Sequence, residues 1–229
     1  VPATVRERFP RDGSTLERYA RVFSCVEVNS TFYRPHRAST FARWAAAVPG
    51  DFRFALKVPK SISHVRRLRN CEDAIEVFLE TTAALGAKRD VLLVQLPPKL
   101  EFDASVATAF FTGLRARYAG HVVCEPRHPS WFASDADEVL SMQRVARVAA
   151  DPVIPGGSAE PGGWNGLRYL RLHGAPRTYW SAYAEEALAQ LAHRLAPTEV
   201  PTWCIFDNTA AGAAAANALR LKDLTAAPS

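Results

Sequence analysis

The sequence is short of several things that would have fixed its class at once. Its apolar runs break within about ten residues, against the ~20 a helix needs to cross a bilayer. Residues 1–4 lack the charged-then-apolar pattern of a secretory leader. Both absences point to a soluble, cytoplasmic chain with no membrane partner. There are only four cysteines, Cys25, Cys71, Cys124 and Cys204, with no Cys-x-x-Cys among them. Three sit inside apolar runs, so buried reduced thiols are expected rather than a disulfide framework or a zinc site. No Gly-x-Gly-x-x-Gly follows an early strand, which argues against a dinucleotide fold. Ser130, between Pro129 and Trp131, lacks the glycine-flanked elbow of a serine nucleophile. Acids are missing from residues 52–71, where Arg53, Lys57, Lys60, Arg66, Arg67 and Arg69 concentrate an otherwise moderate net charge of +5.

What is present is a single-domain composition. The 229 residues are 48% hydrophobic and 22% charged, enough for one large core, so residues 1–229 are expected to form a single domain. After an irregular start, Ser14 with Glu17 forms the sequence signature of a capping box for a helix over 15–23. Helical patterns recur over 39–48, 72–85, 103–118, 134–142, 182–195 and 210–224. Gly86 stands where a left-handed cap is expected. Between the helices lie seven strand candidates, over 25–33, 52–59, 91–98, 121–127, 146–151, 167–174 and 202–207. The segment 152–163 is rich in Pro and Gly and reads as a loop.

Helix and strand in alternation argue a mainly parallel sheet, wound either doubly or into a (β/α) barrel. Polar residues gather at the C-terminal ends of nearly every strand, the face on which barrel sites are built, which favours the barrel. Eight strands are needed and seven are visible. Either the N-terminal segment supplies one or the chain lacks its first strand.

Six segments carry a family resemblance. They are Val-Glu-Val-Asn-Ser-Thr-Phe-Tyr (26 to 33), Phe-Arg-Phe-Ala-Leu-Lys-Val-Pro (52 to 59) with His64, Leu-Leu-Val-Gln-Leu-Pro-Pro (92 to 98), Glu-x-Arg-His-Pro-Ser-Trp (125 to 131), Tyr-Leu-Arg-Leu-His-Gly (169 to 174) and Asp-Asn-Thr-Ala (207 to 210). In order, and over almost the whole chain, they resemble the YecE-like family, also called domain of unknown function 72. The resemblance implies a TIM-barrel-like fold and no settled reaction. Members of that family begin with a strand leading into a Gly-Trp segment, which this chain lacks, so the resemblance implies a barrel without its first strand.

Strand alternation turns Glu27, Asn29, Lys57, Gln95, Glu125, Arg127, Asp151, Arg171, His173 and Asp207 toward one place. So many charges in one core region are costly unless they pair or serve a ligand, so the set is either a site or a salt-bridged plug. As a site it assigns catalysis to Glu27, Lys57, Glu125, Arg127 and His173, with the two glutamates as an acid/base pair. On that reading Glu125→Gln folds normally and loses function. Substrate contacts fall to Asn29, Tyr33, His64, Gln95, His128, Trp131, Asp151, Arg171, Asp207, Asn208 and Thr209. Asn208 and Thr209 open the last helix, where free N–H groups suit a phosphate, with Gly174 and Arg177 nearby.

No cofactor follows from these residues. A divalent metal has ligand types available but no short His-x-His or His-x-x-x-His spacing, and is not favoured. The leading expectation is an enzyme, a hydrolase, lyase or isomerase, doing acid/base chemistry on an anionic and phosphorylated small molecule. The first alternative is a nucleic-acid-binding protein or metal-dependent nuclease. It would use the loop from Lys60 to Arg69 on phosphates, with Tyr33, Trp131, Trp164, Tyr179 and Trp180 as stacking partners. The second alternative is a non-catalytic, partner-binding barrel.

Overall fold

Seven apolar runs do become the staves of the fold, and the way their side chains alternate determines where the site lies. The computed structural model describes residues 2–195 and 199–226; Val1, and Pro197 and Thr198 ahead of the last strand, lie outside the described residues. A short 3-10 turn, Ala3–Arg8, precedes α1 (Thr15–Ala20), whose Ser14 and Glu17 form the reciprocal capping box. Then follow β1 (Cys25–Val28), α2 (Ser30–Tyr33), α3 (Ala38–Ala46), β2 (Arg53–Lys57), α4 (Glu72–Thr82) and β3 (Arg89–Gln95). The middle of the chain gives α5 (Ala104–Arg115), β4 (His121–Glu125), α6 (Ser134–Met142), β5 (Val145–Arg147) and β6 (Ala149–Asp151). The last part gives β7 (Gly162–Gly163), β8 (Arg168–Leu172), α7 (Glu185–Arg194), β9 (Thr202–Phe206) and α8 (Ala213–Ala226).

Strands β1 to β5 pair in sequence order, all parallel, and β7 adds an antiparallel edge to β5. A second parallel sheet runs β6-β8-β9. The two sheets join through one bent segment, because Val148 between β5 and β6 still donates its N–H to Cys124 O at 2.8 Å. One face of the strands, including Phe54, Leu56, Leu92, Val94 and Val122, packs on helix residues such as Phe41, Ile75, Phe111 and Leu140. The other face forms a separate apolar cluster drawing on both sheets, with Ala55, Leu93, Val123, Val148, Tyr169 and Trp203. The inner faces of the two sheets therefore enclose one core, and residues two further along the strands end up above it.

One open alternative is answered and one expectation changes. No closed barrel is formed: among the described residues β1 pairs only with β2 and β9 only with β8. Between them, walled by α1 and α8, lies a cavity of about 1100 Å³. The N-terminal segment does not supply a strand there; its Arg8 instead pairs with Asp223 of α8 at 2.8 Å. The strand expected over 25–33 also stops at Val28. Thr31 Oγ1 donates to Val28 O at 2.9 Å and Lys57 O at 2.7 Å, capping both strand ends and turning Ser30–Tyr33 into a helical turn despite its β-forming residues. The glycine-rich loop contributes β7, and Gly86 has φ 58° as a left-handed reversal requires. No helix among the described residues is long and apolar enough to cross a membrane.

Candidate functional site at the strand ends

Arg171 of β8 is the centre. It is wholly buried, and its guanidinium engages three carboxylates from three different strands or strand ends. Nε and Nη2 donate to the two oxygens of Glu27 at 3.0 and 2.7 Å. Nη2 also donates to Asp207 Oδ2 at 3.0 Å, and Nη1 donates to Glu125. Tyr169, two residues earlier on the same face, adds its hydroxyl to Glu27 Oε2 at 2.8 Å.

His173, two residues later, is also wholly buried and bridges the same acids, with Nδ1 3.1 Å from Asp207 Oδ2 and Nε2 3.1 Å from Glu125 Oε1. Nε2 is in addition 3.0 Å from Arg127 Nη2. These two Nε2 contacts suit different protonation states. The imidazolium donates to Glu125, and the neutral ring with its proton on Nδ1 accepts from Arg127. Arg127 pairs directly with Glu125 as well. Gln95 reaches Glu125 only at 3.4 Å, and Asn29 donates to Asp207 Oδ1 at 3.3 Å.

The charge states follow from these contacts. Burial by itself would raise Glu125, but the Arg171 guanidinium and the His173 hydrogen bond outweigh it and hold the carboxyl well below its usual range. Asp207 is likewise held down, burial opposing and His173 then Arg171 prevailing. His173 ends above its ordinary value, because hydrogen bonds to Asp207 and Glu125 overcome the burial that would lower it. Lys57, at the end of β2, moves the other way. Burial first, then the positive Arg171, lowers it below the ordinary amine range. Its amine makes no hydrogen bond or ion pair with any described residue and rests 4.2 Å from the centroid of the Phe32 ring.

These shifts set a stability profile. The raised His173 contributes stability in full below its ordinary value of 6.5, and that contribution is lost as pH rises through the folded value. The lowered Glu125 and Asp207 contribute above their ordinary 4.5 and 3.8 and lose it as pH falls through their folded values. Stability from this cluster is therefore expected to peak between 4.5 and 6.5. Urea unfolding from about pH 3 to about pH 9 checks it, and His173→Asn should flatten the alkaline limb.

Thus Glu27, Lys57, Gln95, Glu125, Arg127, Arg171, His173 and Asp207 come together, with Asn29 attached through Asp207. Others of the expected set lie elsewhere. Tyr33 is 76% exposed on α2. His64, by contrast, stays at the margin of the cluster: it packs edge-on against Phe32, the ring beneath the Lys57 amine, with its Nδ1 3.0 Å from Ser63 Oγ. His128 and Trp131 build the loop after β4: His128 Nδ1 lies 2.8 Å from Ser130 Oγ, and the buried Trp131 indole donates to Leu100 O at 2.9 Å. Asp151 accepts from the Tyr183 hydroxyl at 2.6 Å. Asn208 is buried and gives its amide to Ser181 O and Asn217 Oδ1, both at 2.9 Å. Thr209 is exposed, and α8 starts only at Ala213, so these two residues do not open the helix as expected. Arg177 lies over Trp180 at 4.3 Å. Tyr169 and Phe32 are the members that sequence reasoning missed, although Tyr169 shares the parity of Arg171 and His173.

The basic loop is less free than its composition implied. Arg66 pairs with Asp73, Arg69 with Asp103 at 3.1 Å, and Arg67 donates to Lys99 O at 2.6 Å. Trp164 stacks on His121 at the opposite, N-terminal end of β4. Among the described residues no group of three or more His, Cys, Asp and Glu side chains is arranged to hold a metal ion. The four cysteines are free thiols, and burial pushes Cys25 and Cys71 up to about 11 and Cys204 to about 12.

Comparison with known proteins gives a consistent result. A family model described as Protein of unknown function DUF72 matches residues 5–229. UPF0759 protein YecE of Escherichia coli is 34% identical over 158 residues, which cover 66% of this chain and 57% of that protein. The matched stretch thus spans little more than half the length of that relative. The crystal structure of a DUF72 family protein from Enterococcus faecalis superposes with a TM-score of 0.80 at 26% identity, covering 93% of this chain and 94% of the other. One from Thermotoga maritima gives 0.76 at 25% identity, covering 94% and 91%.

Proposed function

Since the chain belongs to the DUF72 family, whose description assigns no reaction, we propose from its own site geometry that it is an enzyme doing acid/base chemistry on an anionic small molecule. The reaction class is hydrolytic or isomerising, and the place is the C-terminal end of the strands of an open (β/α) barrel. One observation carries this reading. In a cluster where Glu27, Glu125 and Asp207 are all engaged, the cationic side chains still have donors to give: among the described residues the Lys57 amine has no hydrogen bond and Arg127 Nε is buried without a partner, with the neutral Asn29 Oδ1 as the acceptor left beside them. With His173 protonated, Arg127, Arg171 and His173 match the three carboxylates in number, so whenever the Lys57 amine carries its proton that charge is unbalanced and favours an anion.

The parts have separable roles. Lys57 and Arg127 hold the anion. His173 moves a proton, its ring steadied by Asp207 on one nitrogen while the other exchanges between Glu125 and Arg127. Glu27, Tyr169 and Arg171 form the rigid frame on which those groups are mounted.

The test is thermal unfolding with inorganic phosphate and with a panel of small phosphate esters and carboxylates. A true ligand at a hundredfold over its Kd adds about 2.7 kcal/mol, or about 5–10 °C for a chain of this size. The shift should shrink with added salt and disappear in Lys57→Met. Absence of any shift across the panel at millimolar concentration overturns the reading and leaves a salt-bridged, non-catalytic core end.

A further inference from the structure

We propose that Lys57 is a covalent nucleophile, and that the molecule this site takes is an anionic aldehyde or ketone held as an imine on the Lys57 amine. The inference rests on the reading of the site as one for an anionic small molecule, and it names the functional group that molecule carries.

Lys57 stands apart from the acids around it. Its side chain faces a core end rich in carboxylates and is only 7% exposed, yet it hydrogen-bonds to none of them; Arg171 has taken that role. A lysine kept for charge balance would sit within bonding distance of an acid. This one lies over an aromatic face, and its strand end is pinned by Thr31 on the Lys57 carbonyl at 2.7 Å. An amine that is desolvated, fixed at its base and free at its tip is in the condition imine chemistry needs, because the neutral lone pair is the attacking species. Burial lowers its basicity in the same direction.

The step balances without any co-reactant. The Nζ lone pair adds to the carbonyl carbon, forming C–N while the carbonyl π pair moves to oxygen. Both amine hydrogens then pass to that oxygen, the C–O bond breaks, and water leaves as C=N forms. One further proton, from the His173 imidazolium, keeps the nitrogen as an iminium; Glu125 and Asp207 steady the imidazolium before it gives that proton up. The iminium withdraws electrons from the neighbouring carbon and makes its C–H bond acidic, which suits proton-transfer chemistry next to a carbonyl. Attack of water on the iminium reverses the sequence and frees the product.

The sequence makes the experiment clean, since the chain has only five lysines, Lys57, Lys60, Lys88, Lys99 and Lys222. The intact protein is incubated with pyruvate or glyceraldehyde 3-phosphate, reduced with borohydride, digested and mapped by mass spectrometry. The expected result is reductive labelling at Lys57 at least tenfold above that at Lys60 and Lys99. Lys57→Arg should abolish the label while keeping the thermal shift with inorganic phosphate; Lys57→Met should abolish both and remain folded by circular dichroism. Labelling spread evenly over the lysines, or none at Lys57 while the phosphate shift persists, overturns the imine and leaves Lys57 a point charge. Loss of both signals in the unmodified protein overturns the anionic-site reading as well.

Discussion

Arg171→Met is expected to cost about 3–5 kcal/mol of folding stability, the range found when one partner of a buried ion pair is removed. In urea unfolding this appears as a large drop in midpoint, and in a thermal scan as a fall on the order of ten degrees. The reason is the number of groups left behind. Methionine fills much of the volume, but Glu27, Glu125 and Asp207 then face one another with their common cation gone, and Arg171 and Glu125 are both wholly buried. Their carboxyls must take up protons to remain inside, so the variant should become more stable as pH falls toward about 5, opposite to the acid limb of the unmodified protein. A loss below about 1 kcal/mol would show that the guanidinium is not what holds these strand ends together.

Glu125→Gln should have the second largest effect, about 2–3 kcal/mol, as for hydrogen bonds to charged partners. The amide keeps the shape, and Arg171 keeps Glu27 and Asp207, so the loss is smaller than for Arg171 itself. Its specific signature is at His173, whose value should fall toward 6.5 once the Glu125 bond and charge are gone. An NMR titration of that ring reads it directly. Unchanged stability and an unchanged ring titration together would refute the arrangement. The sequence suggested that Glu125 pairs with Glu27 as acid and base and can be neutralised without harm to the fold. The structure ties both to one arginine, so neutralising either one also weakens the fold.

How far the site was legible from the sequence depended on parity and on distance past the strand ends. Glu27, Lys57, Glu125, Arg171 and His173 were found together because a pleated strand sends every second side chain to the same face. Asp151 failed by the same rule. Ala146 and Val148 face the inner core, which puts Ala149 and Asp151 on the other face, and there Asp151 meets Tyr183. Alternation still places His173, Arg127 and Asp207, each within two residues of its strand end, but further along it carries no information. Arg127 turns back to Glu125, whereas His128 and Trp131 are taken up by the loop's own hydrogen bonds. The helical turn at Ser30–Tyr33 could not be read from β propensity, because a threonine side chain bonding two strand carbonyls decides it. Closure was likewise illegible, since seven staves fit an open or a closed arrangement until their edges are seen.

The unpaired edges of β1 and β9 give the molecule a direction in which it can open. Every other neighbouring pair of staves is joined by a backbone ladder, and separating them would break several hydrogen bonds at once. Across this one gap the described ties near the strand ends are side chains alone, Arg171 and Tyr169 on Glu27 and Asn29 on Asp207. The same contacts that order the charged cluster therefore act as its latch. Protonating Asp207, or drawing it or Glu27 toward a ligand, loosens the wall as well as the site. Amide hydrogens along β1 and β9 should exchange with solvent faster than those of β3 and β4, and in step with the charge state of the cluster.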